Sequence, residues 1–228
     1  MRMKPVNKFN PFLLILLFQL TYFITYSQIN DAGLWLSPSI EKKITSKVSV
    51  SINPAFRFNE NITELGTFFT DAGLDYKINK RIRVSGNYRI ISRRKLDDSY
   101  GIRHRFYADL SYRKKIKQFS LTWRLRLLNQ YTEILSSERG SVPDYAVRNK
   151  LQIKYETDSK YAPFVSGEIW YGINFRENQF RRYRVVGGVE MEINKYNSIA
   201  LSYIFQRELN AANPEINYIS CIGYNYSF

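Results

Sequence analysis

The stretch that decides the fold is residues 216–228, INYISCIGYNYSF, at the end of the sequence. Counting back from Phe228 in steps of two, six of seven residues are apolar or aromatic, and the residues between them are mostly small or polar. This strict period of two predicts a strand with one apolar and one polar face. A last strand that ends on an aromatic residue is typical of outer-membrane β-barrels, where it resembles the signal that the barrel-assembly machinery reads. The residues predicted to form this assembly signal are Ile222, Tyr224, Tyr226 and Phe228.

The beginning of the chain has the features of a secretory signal peptide. Residues 1–10 are basic and contain no acidic residue, and residues 11–20 are predominantly apolar. The small residues Thr25 and Ser27 predict cleavage before Gln28. A membrane anchor is the alternative, but the apolar run is too short to cross ~30 Å of hydrocarbon comfortably.

The composition favours a barrel that is exported to the outer membrane. Beyond the signal segment no apolar run is long enough for a membrane helix. Because membrane-spanning backbone must satisfy its own hydrogen bonds, a closed barrel is the remaining way to cross. The 18 Tyr and 15 Phe residues suit two interfacial girdles. The formal charge of +14 indicates anionic lipid or anionic ligands, since export argues against nucleic acid as a partner.

Alternating patterns divide the chain into candidate strands joined by connections that mostly alternate between short and long. We therefore predict an all-β, transmembrane, antiparallel up-and-down barrel of 10–12 strands, formed by one domain at 28–228 after a signal peptide at 1–27. Bacterial single-chain barrels have even strand numbers, so the count of eleven favours twelve, with one short strand hidden after Gln28. Ten strands is the alternative, with the first candidate outside the wall. The candidates are 34–44, 47–58, 65–78, 81–93, 102–116, 119–134, 145–156, 161–175, 179–193, 197–209 and 216–228.

Charged and apolar residues occupy opposite faces of these strands. In the fourth candidate, Ile82, Val84 and Ile90 share one face, and Arg83 and Arg89 share the other. A slip of one residue would put arginines into lipid at a cost of ~2–4 kcal/mol each near the midplane, so the pattern fixes the register. The charged residues predicted to face the lumen are Arg83, Arg89, Arg103, Arg105, Asp109, Arg124, Arg126, Arg148, Glu168, Arg182, Arg184, Glu190, Glu192 and Glu208.

Five short motifs occur in a fixed order along the chain: DAGLW at 31–35, YKINK at 76–80, HRFYADL at 104–110, QRE at 206–208 and YNYSF at 224–228. Together they resemble the uncharacterised outer-membrane proteins called domain of unknown function "twenty-four ninety". The resemblance covers nearly the whole mature chain. It implies a Gram-negative outer-membrane barrel, and it carries no established activity or catalytic residues.

The sequence gives little support for catalysis. The single histidine, His104, shares the lipid-facing side with Phe106, and we favour a place in an aromatic girdle. The alternative is an outer-membrane lipid-modifying hydrolase, for which Ser92 has the correct face but needs the correct register. One His and one Cys, the lumen-facing Cys221, predict no metal site. There is no phosphate-binding loop or dinucleotide motif, so we expect no cofactor and no enzymatic activity.

The basic lumen has two interpretations. Either arginines pair with carboxylates and tyrosines and plug the barrel, or they line a pore or pocket for anions. We favour the plugged barrel, because ten to twelve strands lie between the eight that side chains fill and the sixteen that leave a channel. The expected function is a structural or ligand-binding barrel, or a small anion channel. A soluble periplasmic ligand-binding barrel is a further alternative. The expected partners are outer-membrane lipid and, during biogenesis, the barrel-assembly machinery and periplasmic chaperones.

The terminal pattern generates a prediction about assembly. Deleting Phe228, or replacing Tyr226 and Phe228 with Ser, should prevent insertion because the aromatic face of the last strand is lost. Heat-modifiable gel mobility of the outer-membrane fraction measures insertion. Ser227→Ala, on the polar face of the same strand, is the control and should insert normally. Normal insertion of the truncated protein would contradict the assignment of this strand as the assembly signal.

Overall fold

The computed structural model describes residues 30–132, 144–156, 159–173, 178–211 and 213–228, and these residues form eleven strands. The predicted signal peptide at 1–27 lies outside the described residues. No helix in the described part of the chain is long and apolar enough to cross a membrane. The strands are β1 (Asn30–Lys43), β2 (Val48–Asn59), β3 (Glu64–Lys77), β4 (Ile82–Arg94), β5 (Tyr100–Ile116), β6 (Phe119–Tyr131), β7 (Asp144–Tyr155), β8 (Tyr161–Ile173), β9 (Asn178–Glu192), β10 (Asn197–Glu208) and β11 (Ile216–Ser227).

The strands close into a barrel in chain order. Each strand from β1 to β11 is antiparallel to the next, and β1 and β11 pair in parallel to complete the ring. The parallel register runs from Asn30 opposite Ile216 to Glu41 opposite Ser227. Beyond it, the Phe228 amide donates to the Glu41 carbonyl at 3.0 Å, and the Lys43 amide donates to the Phe228 carbonyl at 2.8 Å. The final residue therefore takes part in closing the barrel.

The all-β barrel class is confirmed, but the described residues form eleven strands rather than the favoured twelve. An up-and-down barrel needs an even number of strands only if its first and last strands pair antiparallel. In this barrel the first and last strands pair in parallel, so an odd number closes the ring. The eleven candidates are found within a few residues of their predicted bounds. The largest difference at the N-terminal side is β1, which begins at Asn30 rather than at 34, where polar and small residues weaken the alternation.

The two ends of the barrel differ, and we name them by their connections. At the turn end lie Phe228 and the short connections 44–47, 78–81, 117–118 and 193–196. At the loop end lie Asn30 and connections that include 60–63, 95–99 and 209–215. Because the closing pair is parallel, β1 begins at the loop end whereas β11 finishes at the turn end.

The outer wall carries an apolar band between two sets of aromatic residues. Ile52, Leu127 and Leu201 point outward near mid-height and are 57%, 53% and 57% exposed. Phe119 contacts Tyr155 at the turn end, with ring centroids 5.1 Å apart. Ring pairs at the loop end are Phe56–Phe68, Tyr171–Phe180 and Phe205–Tyr218. An exposed apolar surface of this kind is typical of proteins that contact a membrane or another protein.

The parallel closure generates a prediction that separates eleven strands from twelve. Ser39 and Asn225 are register partners across β1 and β11, and the Ser39 hydroxyl donates to Asn225 Oδ1 at 3.1 Å. In a Cys221→Ser background, Ser39→Cys with Asn225→Cys should form an intrachain disulfide, because register partners have Cα atoms close enough to bridge. Mass spectrometry of the oxidised protein detects the crosslink.

The matched control for this crosslink is Ser39→Cys with Asn217→Cys. Asn217 also belongs to β11 but pairs with Asp31, eight residues away from Ser39 along β1. This pair should stay reduced. A twelfth strand between β1 and β11 would keep Ser39 and Asn225 apart, so absence of their disulfide would contradict the closure described above.

Candidate functional site: the barrel lumen

Register places two carboxylate–guanidinium pairs directly across neighbouring strands inside the barrel. Asp71 on β3 is opposite Arg89 on β4, and Arg89 donates from Nε and Nη2 at 2.6 and 2.5 Å. Asp109 on β5 is opposite Arg126 on β6, with corresponding distances of 2.6 and 2.7 Å. Both pairs are bidentate, an arrangement that fixes orientation as well as charge.

Glu168 on β8 is the centre of a larger ion cluster. Arg148 on β7 donates to it from Nε and Nη2 at 3.1 and 2.8 Å. Arg124 on β6 donates from Nη2 at 2.7 Å, and Arg184 on β9 lies 3.8 Å away. The carboxylate is 7% exposed and serves three guanidinium groups from three strands. Removing its charge would therefore leave several buried cations without their shared partner.

Aromatic rings separate neighbouring arginines. Phe69 lies between Arg89 and Arg57, with guanidinium carbons 3.7 and 4.7 Å from the ring centroid. Trp35 lies between Arg57 and Arg184, at 3.9 and 4.9 Å. Because a ring face carries negative quadrupole density, each ring attracts the cations on its two sides.

The same alternation continues to β9, with one interruption between β6 and β7. Trp170 is 4.3 Å from Arg148 and 4.7 Å from Arg184, and Tyr107 is 3.8 Å from Arg126 and 5.8 Å from Arg89. Arg126 and Arg148 are themselves register partners. We call this ring the lumen belt. Its members are Trp35, Arg57, Phe69, Arg89, Tyr107, Arg126, Arg148, Trp170 and Arg184, one from each of β1 to β9.

The two remaining strands complete the interior with smaller groups. Gln206 on β10 accepts a hydrogen bond from Arg184 Nη2 at 2.6 Å and is 5% exposed. Ile204 and Ile219, on β10 and β11, are also buried. Both register irregularities in the described ladders fall next to belt residues, between Arg57 and Phe58 and between Trp170 and Tyr171. A bulge redirects the neighbouring side chain, so these two help to set the belt geometry.

The other predicted lumen residues lie nearer the two ends. At the loop end, Arg182 pairs with Glu208 at 2.5 Å, Arg105 donates from Nε to Gln130 at 3.1 Å, and Arg103 belongs to the same inward face. At the turn end, Lys154 pairs with Glu190 at 2.8 Å.

The turn end also holds the two most exposed of the predicted residues. Arg83 is 3.8 Å from Asp75 and its side chain is 45% exposed. Glu192, the last residue of β9, is exposed as well. Central and terminal residues of the predicted set therefore have different surroundings. The central residues form the belt with its three carboxylates and Arg124, whereas the terminal residues form separate pairs or face solvent.

Sequence reasoning missed several belt residues. Arg57 lies between Phe56 and Phe58, so the alternation of polar and apolar residues along the strand already predicts that it points inward. The inward direction of Asp71, a carboxylate partner of the belt, could not be predicted from alternation, because the neighbouring Thr70 and Ala72 are not clearly apolar. The roles of Trp35 and Trp170 had no sequence signal, because period-two patterns predict outward aromatic residues and the belt uses inward ones.

His104 has a tyrosine partner on the outer wall. Its Nδ1 lies 2.7 Å from the Tyr88 hydroxyl, and the ring of Phe106 packs on Tyr88 with centroids 5.0 Å apart. Ser92 is the register partner of Ile102, whereas His104 is opposite Ile90. In the described residues, no three His, Cys, Asp or Glu side chains are grouped so as to hold a metal ion.

Two solved structures resemble this barrel. The bacterial polysaccharide outer membrane secretin aligns with a TM-score of 0.53 and 8% identity, covering 80% of this chain and 63% of that chain, so the present chain spans under two thirds of that protein's length. The beta domain of the Bordetella autotransporter Brka aligns with a TM-score of 0.50 and 10% identity, covering 82% and 86%. At these identities the likeness shows the fold alone, which is that of outer-membrane β-barrels.

The family assignment is more specific than the fold. A family model described as "Protein of unknown function (DUF2490)" matches residues 32–217, and the chain belongs to this family. The resemblance drawn from the five sequence motifs is thereby confirmed. No characterised protein sequence matches the chain significantly.

The Glu168 cluster generates a prediction about stability. Glu168→Gln should destabilise the barrel by about 3–5 kcal/mol, because removing one partner of a buried ion pair strands the other. The temperature at which the folded band disappears in a heat-modifiability gel should fall accordingly. Glu190→Gln is the matched control, because this side chain is 30% exposed and pairs with one lysine, Lys154, so the substitution should cost about 0–1 kcal/mol. Equal effects of the two substitutions would contradict a central role for Glu168.

Proposed function

We propose that this protein is an integral outer-membrane β-barrel of a Gram-negative bacterium, with a basic lumen closed by side chains. Its role on this proposal is structural or ligand-binding rather than that of an open channel. The observation that carries the proposal is the lumen belt, which links side chains from nine successive strands across the interior.

Insertion in the outer membrane is supported by the outer wall. The exposed apolar band between two aromatic sets has the layout of a transmembrane barrel. Charged residues that share the outward face, Lys42, Lys114 and Arg207, lie near strand ends, away from mid-height. A soluble periplasmic barrel would have to expose this band to water, which argues against that alternative. Outer-membrane lipid is the proposed surrounding partner, and the assembly machinery and periplasmic chaperones act during biogenesis.

A closed lumen is supported by size and packing together. Eleven strands lie between the eight that side chains fill and the sixteen or more that leave an aqueous channel. Arg89, Arg126 and Arg148 are each 8% exposed, and the carboxylates that pair with them are similarly enclosed. Ions crossing this region would have to break bidentate pairs, which opposes steady conduction.

The proposed function is non-enzymatic. A lipid-modifying hydrolase needs a serine activated by His104, but the candidate Ser92 stands opposite Ile102 and not opposite His104, whose Nδ1 lies 2.7 Å from the Tyr88 hydroxyl. The pair suits an interfacial girdle, where an aromatic body meets lipid and a polar tip meets headgroups. We also propose that the protein works without a cofactor.

The closed lumen is tested by conductance. The purified, refolded protein should give little steady current in planar bilayers, because the belt occupies the path. Trp35→Ala with Trp170→Ala should produce a measurable, anion-selective current, because it removes two rings and leaves the arginines. Tyr203→Ala, an outward residue that is 54% exposed, is the matched control and should stay closed. A large, stable current from the unmodified protein would overturn the proposal.

A further inference from the structure

Arg57 differs from the other arginines of the belt. Arg89, Arg126, Arg148 and Arg184 each have a carboxylate within 4.0 Å, whereas Arg57 has no ion pair among the described residues. Its Nε is inaccessible to solvent and has no hydrogen-bond partner. Its contacts are the faces of Trp35 and Phe69. Ring faces attract the cation but accept no conventional hydrogen bond, so the buried Nε is unsatisfied, and the Nη donors have no protein acceptor among the described residues.

Arg105 is a second cation with incomplete compensation. Its side-chain hydrogen-bond partner is the neutral Gln130, and it stands opposite Arg89 in the β4–β5 register. Arg89 in turn shares the Phe69 ring with Arg57, so the three guanidinium groups are linked through adjacent strands. Arg57 and Arg105 both lie in the loop-end half of the barrel, within five residues of the ends of β2 and β5.

The charges of the central lumen do not balance. Eight cations lie in or next to the lumen belt: its five arginines, the neighbouring Arg124 and Lys150, and Arg105 on its loop side. Three carboxylates, Asp71, Asp109 and Glu168, lie at the same level. Uncompensated charge inside a low-dielectric wall is costly and concentrates counter-ions. The surplus therefore attracts an anion from solution. Arg57, Arg105 and Lys150 have no carboxylate within 4.0 Å among the described residues. Arg57 and Arg105 lie toward the loop end, whereas Lys150 is the register partner of Glu168.

We propose that the lumen binds a small oxyanion, a phosphate or carboxylate group, at Arg57 and Arg105 on the loop side of the lumen belt. Guanidinium forks match the paired oxygens of such groups, and charge-assisted hydrogen bonds would satisfy donors that protein groups leave free. Chloride lacks this paired-oxygen geometry. The inference deepens the ligand-binding part of the proposed function and rests on it. Equilibrium binding tests the oxyanion site and conductance tests the closed lumen, so one proposal can be contradicted while the other stands.

The experiment compares the thermal unfolding of the full refolded protein in sodium phosphate, sodium acetate and sodium chloride at matched ionic strength. An anion that binds only the folded state raises the unfolding temperature as its concentration rises. We expect phosphate or acetate to stabilise the protein beyond chloride, and isothermal titration calorimetry with the same salt to give a saturable heat. The saturable heat distinguishes binding at a site from the general stabilisation of folded proteins by excluded anions such as phosphate. A response to phosphate alone assigns a phosphoryl ligand, and a response to both assigns a general oxyanion site.

Variants locate the site. Arg57→Gln and Arg105→Gln should each weaken binding at least tenfold, the effect of losing one charge-assisted contact. Arg83→Gln, which removes a lumen cation at the turn end, should bind as the unmodified protein does. If Arg57→Gln fails to fold, Arg105→Gln carries the test. Absence of oxyanion-specific stabilisation in the unmodified protein, or unchanged binding in both loop-side variants, would overturn the proposal.

Discussion

Closure of the hydrogen-bonded ring is the constraint on which the rest of the structure depends. Every strand has a partner on both edges, including β1, which pairs in parallel with β11. With no free edge, the pleat assigns each residue to the outside or to the lumen. The register of the parallel β1–β11 pair puts Trp35 opposite Cys221 and inside the barrel. A slip of one residue there would turn Trp35 outward and break the link between Arg57 and Arg184.

Repulsion between like charges governs the interior that closure creates. Arg89 faces Arg105 across one pair of strands, and Arg126 faces Arg148 across another. Carboxylates offset part of this repulsion, and the aromatic ring faces beside the cations offset a further part. Arginine suits both roles, because its planar group can stack on a ring while its edge donates to a carboxylate. The belt thus needs inward aromatic residues as much as it needs acidic ones.

Much of the fold could be predicted from the sequence, because period-two alternation is a local property. The terminal strand shows it most clearly, and Arg83 and Arg89 follow from the same pattern. The parity of the strand count could not be predicted in this way, since it depends on how β1 meets β11, which no local pattern encodes. The partners of Glu168 were also out of reach, because they come from three strands and depend on register across the ring.

The likeness to outer-membrane barrels shows the fold and does not identify a function, since one fold supports many roles, so the functional evidence must come from the interior. Here the cations of the interior differ in their partners. Lys154 pairs with Glu190 at the turn end, and Arg182 pairs with Glu208 at the loop end. Between them, on the loop side of the belt, Arg57 and Arg105 have aromatic or neutral contacts instead. The proposed filled lumen and the proposed anion site are therefore compatible, because the lumen belt occupies the interior while Arg57 and Arg105, on one side of it, lack carboxylate partners among the described residues.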